Sequence, residues 1–371
     1  MRSLASIIAV VAASIAWLLP AAAQPDKPWH VEGKLLGKDQ KKSKDISGIA
    51  CLSTGLPRTC LVIDDEVQFA QVVIVQDGAL LAGDTIQLVD PDHSKWNIDG
   101  EGVAFAAATP SRPGAFYIVG SHGHPRDRDG KLDAVEDASE IKARFDASSV
   151  LVRLQIDPAS ISAEGKVMKA PKGETLVDLR PMIYLEPKLA PLRPFLGKRL
   201  EERSRGLTIE GIAAVQGRLY VGLRAPTLAA DGSDRVPSGD DERAAIISFD
   251  RDAPFDRTPA KVELSLLPLG AKRGVRDMAA HGTDILVLAG PAYEPNTAPA
   301  AGKTGEYAIY LWDKVNPPRK LKDLPQFEED GKPLKPEALL PLGTGNDGTL
   351  DVLVLFDGAR EGGPRLVKVP R

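Results

Sequence analysis

Apolar and polar positions alternate in short blocks along this chain, and the blocks recur in pairs. In each pair an acidic or hydroxyl residue opens a short apolar strand, a turn follows, and a more apolar second strand ends in a polar loop. The first copy reads Asp45-Ile-Ser-Gly-Ile-Ala, then Cys60-Leu-Val-Ile-Asp-Asp-Glu66. The second reads Asp99-Gly-Glu-Gly-Val-Ala-Phe, then Phe116-Tyr-Ile-Val-Gly-Ser-His122. The third reads Thr208-Ile-Glu-Gly-Ile-Ala, then Arg218-Leu-Tyr-Val-Gly-Leu-Arg224. The fourth reads Arg276-Asp-Met-Ala-Ala, then Asp284-Ile-Leu-Val-Leu-Ala-Gly290. The fifth reads Pro336-Glu-Ala-Leu-Leu, then Leu350-Asp-Val-Leu-Val-Leu-Phe-Asp357. Further strand-like runs follow each pair, such as Gln71–Val75, Val150–Ile156, Ala244–Phe249 and Tyr307–Trp312.

Aligned on Ser47, Glu101, Glu210, Asp277 and Glu337, the copies are 54, 109, 67 and 60 residues apart. A period this long exceeds that of helical repeats and suits four-stranded blades with loops. The expected fold is all-β: a β-propeller of five four-stranded blades. Six blades are the alternative, because the 109-residue step has room for a degenerate copy. Two insertions account for that step instead: a hydrophilic, partly helical one at about 123–149, and one rich in Pro, Leu and charge at about 180–206, with a short helix expected around Leu196–Ser204. The fifth copy retains only three strands. The run Trp29–Leu36 is therefore expected to supply its missing outer strand and close the ring, since sheet proteins avoid open edges.

The first 23 residues read as a secretory signal peptide: basic Arg2, an apolar run from Leu4 to Leu19, Pro20, and small Ala21-Ala22-Ala23. The apolar run is short of the roughly 20 residues that a spanning helix needs, and no later segment is apolar enough. The remaining residues, 24–371, are expected to form one exported domain, periplasmic or secreted, with no membrane span. Removing Arg2 leaves 46 basic against 51 acidic side chains, a net charge of −5, which argues against a nucleic-acid partner. The 34 glycines and 30 prolines suit many short strands joined by turns. Cys51 and Cys60, the two cysteines, are expected to pair in an oxidising compartment and staple one hairpin.

The first strand of each copy is expected innermost. In an antiparallel hairpin the start of one strand lies beside the end of the next. One face should therefore gather Ser47, Glu101, Glu210, Asp277 and Glu337 around the channel mouth. Asp64, Asp65, Glu66, Ser121, His122, His124, Arg224 and Asp357 should surround them. A ring formed by Glu101, Glu210, Asp277 and Glu337 would recruit a hard cation such as Ca²⁺. That cation would polarise a phosphate or ester, with His122, Glu101 or Glu210 as catalytic group. Alternatively, each acid accepts backbone N–H groups of the neighbouring blade as a structural clamp. Asp64, Asp65, Glu66 and Arg224 break the repeat and are the ligand-binding candidates. A second cation candidate is the loop Pro125–Glu136, where Asp127, Asp129, Asp133 and Glu136 fall at EF-hand-like places although Pro125 holds the first. His122 and His124, two apart, would point the same way in an extended strand.

These motifs resemble a bacterial exported family catalogued as a domain of unknown function. Its Glu-Gly-[Ile/Leu]-Ala signature is similar to that of the "esterase-like activity of phytase" propellers. The resemblance runs from about Asp45 to the C-terminus and implies a propeller. Through the phytase-like group it also implies a phosphoesterase role for Glu101 and Glu210. The expected function is binding of a small molecule or protein partner at the acidic channel mouth, with Ca²⁺ as the candidate cofactor. The alternative is cation-assisted hydrolysis of phosphate or carboxylate esters.

Overall fold

A computed structural model describes residues 28–90, 95–126, 132–293, 306–345 and 347–371. The signal-peptide segment 1–23 and the loop residues Asp127 and Asp129 lie outside the described residues. The three-residue strand β1 (His30–Glu32) precedes the first blade, built from β2 (Ile46–Cys51), β3 (Arg58–Asp64), β4 (Phe69–Gln76) and β5 (Ala79–Gln87). The second blade comprises β6 (Gly100–Ala106), β7 (Ala115–Gly120), β8 (Leu151–Gln155) and β9 (Lys172–Val177). The third comprises β10 (Thr208–Val215), β11 (Arg218–Ala229), β12 (Glu242–Asp250) and β13 (Glu263–Leu267). The fourth comprises β14 (Arg273–His281), β15 (Asp284–Pro291), β16 (Ala308–Trp312) and β17 (Arg319–Asp323). A small ribbon, β18 (Glu328–Glu329) with β19 (Lys332–Pro333), leads to the fifth: β20 (Lys335–Thr344), β21 (Leu350–Asp357) and β22 (Arg365–Val369).

Five buried clusters hold the ring together, one at each junction between blades. Leu61, Val72, Phe116 and Val152 join the first blade to the second. Tyr117, Val119, Ile212 and Phe249 join the second to the third, and Tyr220, Ile246, Met278 and Trp312 the third to the fourth. Leu288, Ile309, Val354 and Phe356 join the fourth to the fifth. Ile49, Val73, Leu340 and Leu353 return the fifth to the first. The second strand of each blade is buried on both faces because each blade is sandwiched between two others, so these runs read as continuous rather than alternating, whereas outer strands such as β17 are polar and exposed. Five blades are thus the architecture, and no sixth is needed.

The closing strand differs from expectation. β1 does not complete the fifth blade. It pairs in parallel with β5, making the first blade five-stranded, and the fifth blade keeps three strands. The seam is closed by side-chain packing and by hydrogen bonds instead. Trp29 N–H donates to the Pro364 carbonyl at 2.7 Å, Gly358 N–H to Lys44 at 2.8 Å and Glu361 N–H to Ser43 at 2.8 Å. The first insertion carries helix α1 (Ala138–Ser148), in line with its partly helical pattern. The second carries α2 (Arg180–Leu185) and a 3₁₀ segment Pro187–Phe195, earlier than the expected helix at Leu196–Ser204. Ile183, Leu189, Leu192 and Phe195 from that insertion are buried against the second and third blades.

Cys51 and Cys60 sit opposite one another in the β2–β3 ladder and are joined. This disulfide fits an extracellular protein, and no helix among the described residues is long and apolar enough to cross a membrane. Replacing both cysteines by serine is expected to lower the unfolding free energy by about 2–3 kcal/mol through loop-closure entropy in the unfolded chain. Urea unfolding of the double variant checks this. A loss below about 1 kcal/mol would mean that the hairpin needs no staple.

Candidate functional site

Each innermost strand carries a β-bulge at the same place. The ladders skip Ser47 in β2, Glu101 in β6, Glu210 in β10, Arg276 in β14 and Glu337 in β20. A bulge leaves its extra residue out of the ladder and re-aims its side chain. The repeating position in the fourth blade is therefore Arg276, one residue before the Asp277 suggested by matching acids.

The next column explains Asp277. It holds Gly48, Gly102 and Gly211 in the first three blades. A Cβ added at Gly211 would lie 3.0 Å from the backbone of Asp277 and Met278, so glycine permits the close approach of adjacent inner strands. Asp277 occupies this column and accepts the Leu339 N–H across the blade junction at 2.6 Å. Its carboxyl is held well above the usual range by burial, with the Leu339 and Met278 N–H groups opposing. The clamp thus applies to Asp277, which is not in a carboxylate ring.

The bulge residues Glu101, Glu210, Arg276 and Glu337 face a cavity of about 520 Å³ at one end of the axis. Asp45, Asp65, Asp357, Arg224, Lys335 and His124 also line it, with Arg126, Arg199 and Glu201 from the insertions. Arg276 is buried between two acids: its Nη1 lies 3.0 Å from Glu210 Oε2, and Nη2 donates to Glu337. The Glu210 contact is an ion pair outside hydrogen-bond geometry, since Oε2 has no hydrogen-bond donor. Arg224 Nη1 donates to Glu210 Oε1 at 2.8 Å. Burial acts to lower the Arg276 pKa, but Glu210 and Glu337 override it and raise it further. Burial pushes Glu337 up to about 7 while Arg276 opposes.

Glu101 is different. It is 5% exposed, faces the cavity, and has no hydrogen bond to a described residue. Its pKa is raised well above the carboxylate range by burial, then by Glu210, Asp99 and Asp65. Asp65 is raised in the same way by burial and by Asp99, and its Oδ1 is sealed from solvent without a partner. Carboxylate oxygens of Asp65, Asp99 and Glu101 lie within 4.8 Å of one another.

Other expected site residues fall elsewhere. Asp64 accepts from Ser43 Oγ at 2.5 Å and from Glu66 N–H at 2.9 Å, tying a loop rather than facing the cavity; burial lifts it to about 6. Glu66 pairs with Lys38 at 3.0 Å. His122 is fully buried, with Nδ1 2.8 Å from the Gly120 carbonyl and Nε2 accepting the Leu179 N–H at 3.3 Å. Both ring nitrogens are engaged, so it is not placed as a base. His124 reaches the cavity, so the two histidines do not share a site. Asp133 accepts the Val135 and Glu136 N–H groups in an exposed turn before α1.

A family model described as "Protein of unknown function (DUF3616)" matches residues 66–365. The chain belongs to this family. No curated protein matches the DUF3616 chain in sequence. Solved structures similar to it include a luciferin-regenerating enzyme, at 12% identity and TM-score 0.35, covering 89% of this chain and 92% of that one. A glycoside hydrolase family 43 arabinoxylan arabinofuranohydrolase from Bacillus subtilis is 11% identical with TM-score 0.41, covering 87% and 63%. An α-L-arabinofuranosidase from Podospora anserina is 10% identical with TM-score 0.39, covering 93% and 96%. None of these likenesses bears on activity.

Proposed function

We propose that this DUF3616 propeller binds a small polar ligand in the axial cavity. The observation that carries the reading is unmet hydrogen-bonding demand around a space of ligand size. Arg224 Nε, Arg276 Nε and Asp65 Oδ1 are buried without protein partners, and Glu101 adds a carboxyl group with no hydrogen-bond partner among the described residues. Buried polar groups of this kind need partners, and about 520 Å³ falls within the range of small-molecule sites. Cationic side chains Arg224, Arg126 and Lys335 share the wall with the acids. The ligand that suits both carries an anionic group and several hydrogen-bond donors.

The test is a thermal-shift screen of small zwitterions, polyols and organic phosphates, followed by calorimetry on any hit. Arg224→Met is expected to weaken the hit at least tenfold, the scale of a lost charge-assisted contact. Undiminished affinity in the folded variant would remove Arg224 from the reading.

A second reading is cation-assisted ester hydrolysis, favoured by the acid trio Asp65, Asp99 and Glu101 beside Arg224 and Arg276. It expects turnover of p-nitrophenyl phosphate or acetate that chelator abolishes. Saturable binding with no turnover of these esters favours the binding role.

A further inference from the structure

We propose that Asp65, Asp99 and Glu101 form a binding site for one hard divalent cation of the Ca²⁺ kind. One oxygen from each lies within 4.8 Å of the others. That is the span across a single ion whose oxygen ligands sit about 2.4 Å away. The propeller brings Asp65 of one blade beside Asp99 and Glu101 of the next. Asp65 follows β3 of the first blade, Asp99 precedes β6 of the second, and Glu101 is the bulge residue within β6.

Acidic groups cluster on many surfaces without an ion, and what singles out this cluster is Glu101. It is 5% exposed, lines the cavity, and has no hydrogen-bond partner among the described residues. The charges acting most on it, Glu210, Asp99, Asp65 and Glu337, are all negative. Asp65 Oδ1 is likewise sealed from solvent without a donor. Nearby arginine is already committed: Arg276 to Glu210 and Glu337, Arg224 to Glu210. A cation bridging the trio offsets the repulsion and satisfies these oxygens together. The donors are all carboxylate oxygens and the two cysteines are joined to each other, so the site suits a hard ion rather than a thiolate- or imidazole-seeking one. The open cavity leaves room for the water or ligand oxygens that complete a six- to eight-coordinate shell.

This placement keeps Glu101 of the expected ring Glu101, Glu210, Asp277 and Glu337 but not the other three, whose carboxylates have protein partners. It does not depend on the ligand reading, because the trio can hold an ion with the rest of the cavity filled by water.

Chelator-treated protein titrated with CaCl₂ by calorimetry, with melting followed with and without the ion, tests the site. The expected result is one Ca²⁺ per chain and a higher melting temperature in its presence. Glu101→Gln is expected to weaken Ca²⁺ at least tenfold. Without the ion this variant should melt at or above wild type, because the neutral amide avoids the cost of a charge buried among other acids; with the ion the order should reverse. A purely structural Glu101 would lower melting equally in both conditions, and that outcome overturns the proposal. So does wild type that binds no Ca²⁺, or binding lost in Asp133→Asn but kept in Glu101→Gln. Asp99→Asn serves the same comparison if Glu101→Gln does not fold. Arg224→Met should keep its Ca²⁺, so the metal and ligand readings fail separately.

Discussion

Arg276→Ala is expected to lower the unfolding free energy by about 3–5 kcal/mol at neutral pH, the range for removing one partner from a buried ion pair. Arg276 is 3% exposed and stands between Glu210 and Glu337 at the axis. Without it Glu210 keeps Arg224, but Glu337 is left buried with Asp357 and Glu210 acting to raise its pKa. The orphaned carboxylate would escape most cheaply by taking up a proton. The double variant Arg276→Ala with Glu337→Gln should therefore recover part of the loss, because it removes the stranded charge along with its partner. Urea unfolding of wild type, both single variants and the double variant gives the coupling directly. A loss below about 1 kcal/mol for Arg276→Ala, or no recovery in the double variant, would show that the chain Arg224–Glu210–Arg276–Glu337 is not what holds the channel mouth together.

The same residue shows where the sequence stops being readable. The blades are legible because each contributes a turn-linked pair of apolar strands at a regular step, and that step forces a ring. The bulge column is legible in the first, second, third and fifth blades, where Ser47, Glu101, Glu210 and Glu337 share small or acidic polar chemistry. In the fourth the column carries the opposite charge. Matching by residue type then slides the alignment by one, onto Asp277, which belongs to the glycine column. The signal that would have found Arg276 is positional: Val275-Arg276-Asp277-Met278-Ala279 matches Ile209-Glu210-Gly211-Ile212-Ala213 in apolar pattern. The pairing of β1 with β5 was not legible, since three residues carry no register and either neighbouring sheet edge could accept them. Nor was the environment of His122. It is set by Leu179, 57 residues away in sequence, and by a left-handed backbone at φ 52° that breaks the extended geometry assumed for His122 and His124. Asp99 was missed as a site residue because it sits outside the repeat position. Only the meeting of two blades brings it beside Asp65.

His122 should make the fold acid-sensitive in a way that can be isolated. Burial lowers its pKa from the ordinary 6.5 to about 4, with the hydrogen bond to the Gly120 carbonyl opposing. The folded state thus resists a proton that the unfolded chain accepts between those two values. Unfolding takes up that proton, so the His122 contribution is present in full above pH 6.5 and is lost as pH falls toward 4. The size is on the order of 3 kcal/mol, at about 1.4 kcal/mol per unit. Total stability does not report this alone, because the raised carboxyls of Asp64 and Glu337 act in the opposite direction: their folded forms hold protons that the unfolded chain releases, which adds stability as pH falls. The comparison with His122→Gln removes that background. The variant should be the less stable protein at pH 7.5, having lost the contacts to Gly120 and Leu179. The gap should then narrow steadily on going to pH 4.5, since only wild type carries the unprotonated imidazole. Urea midpoints for the two proteins at several pH values measure the gap. A gap that stays constant with pH would mean that His122 accepts its proton in the folded state, and the buried, doubly hydrogen-bonded neutral ring would have to be abandoned.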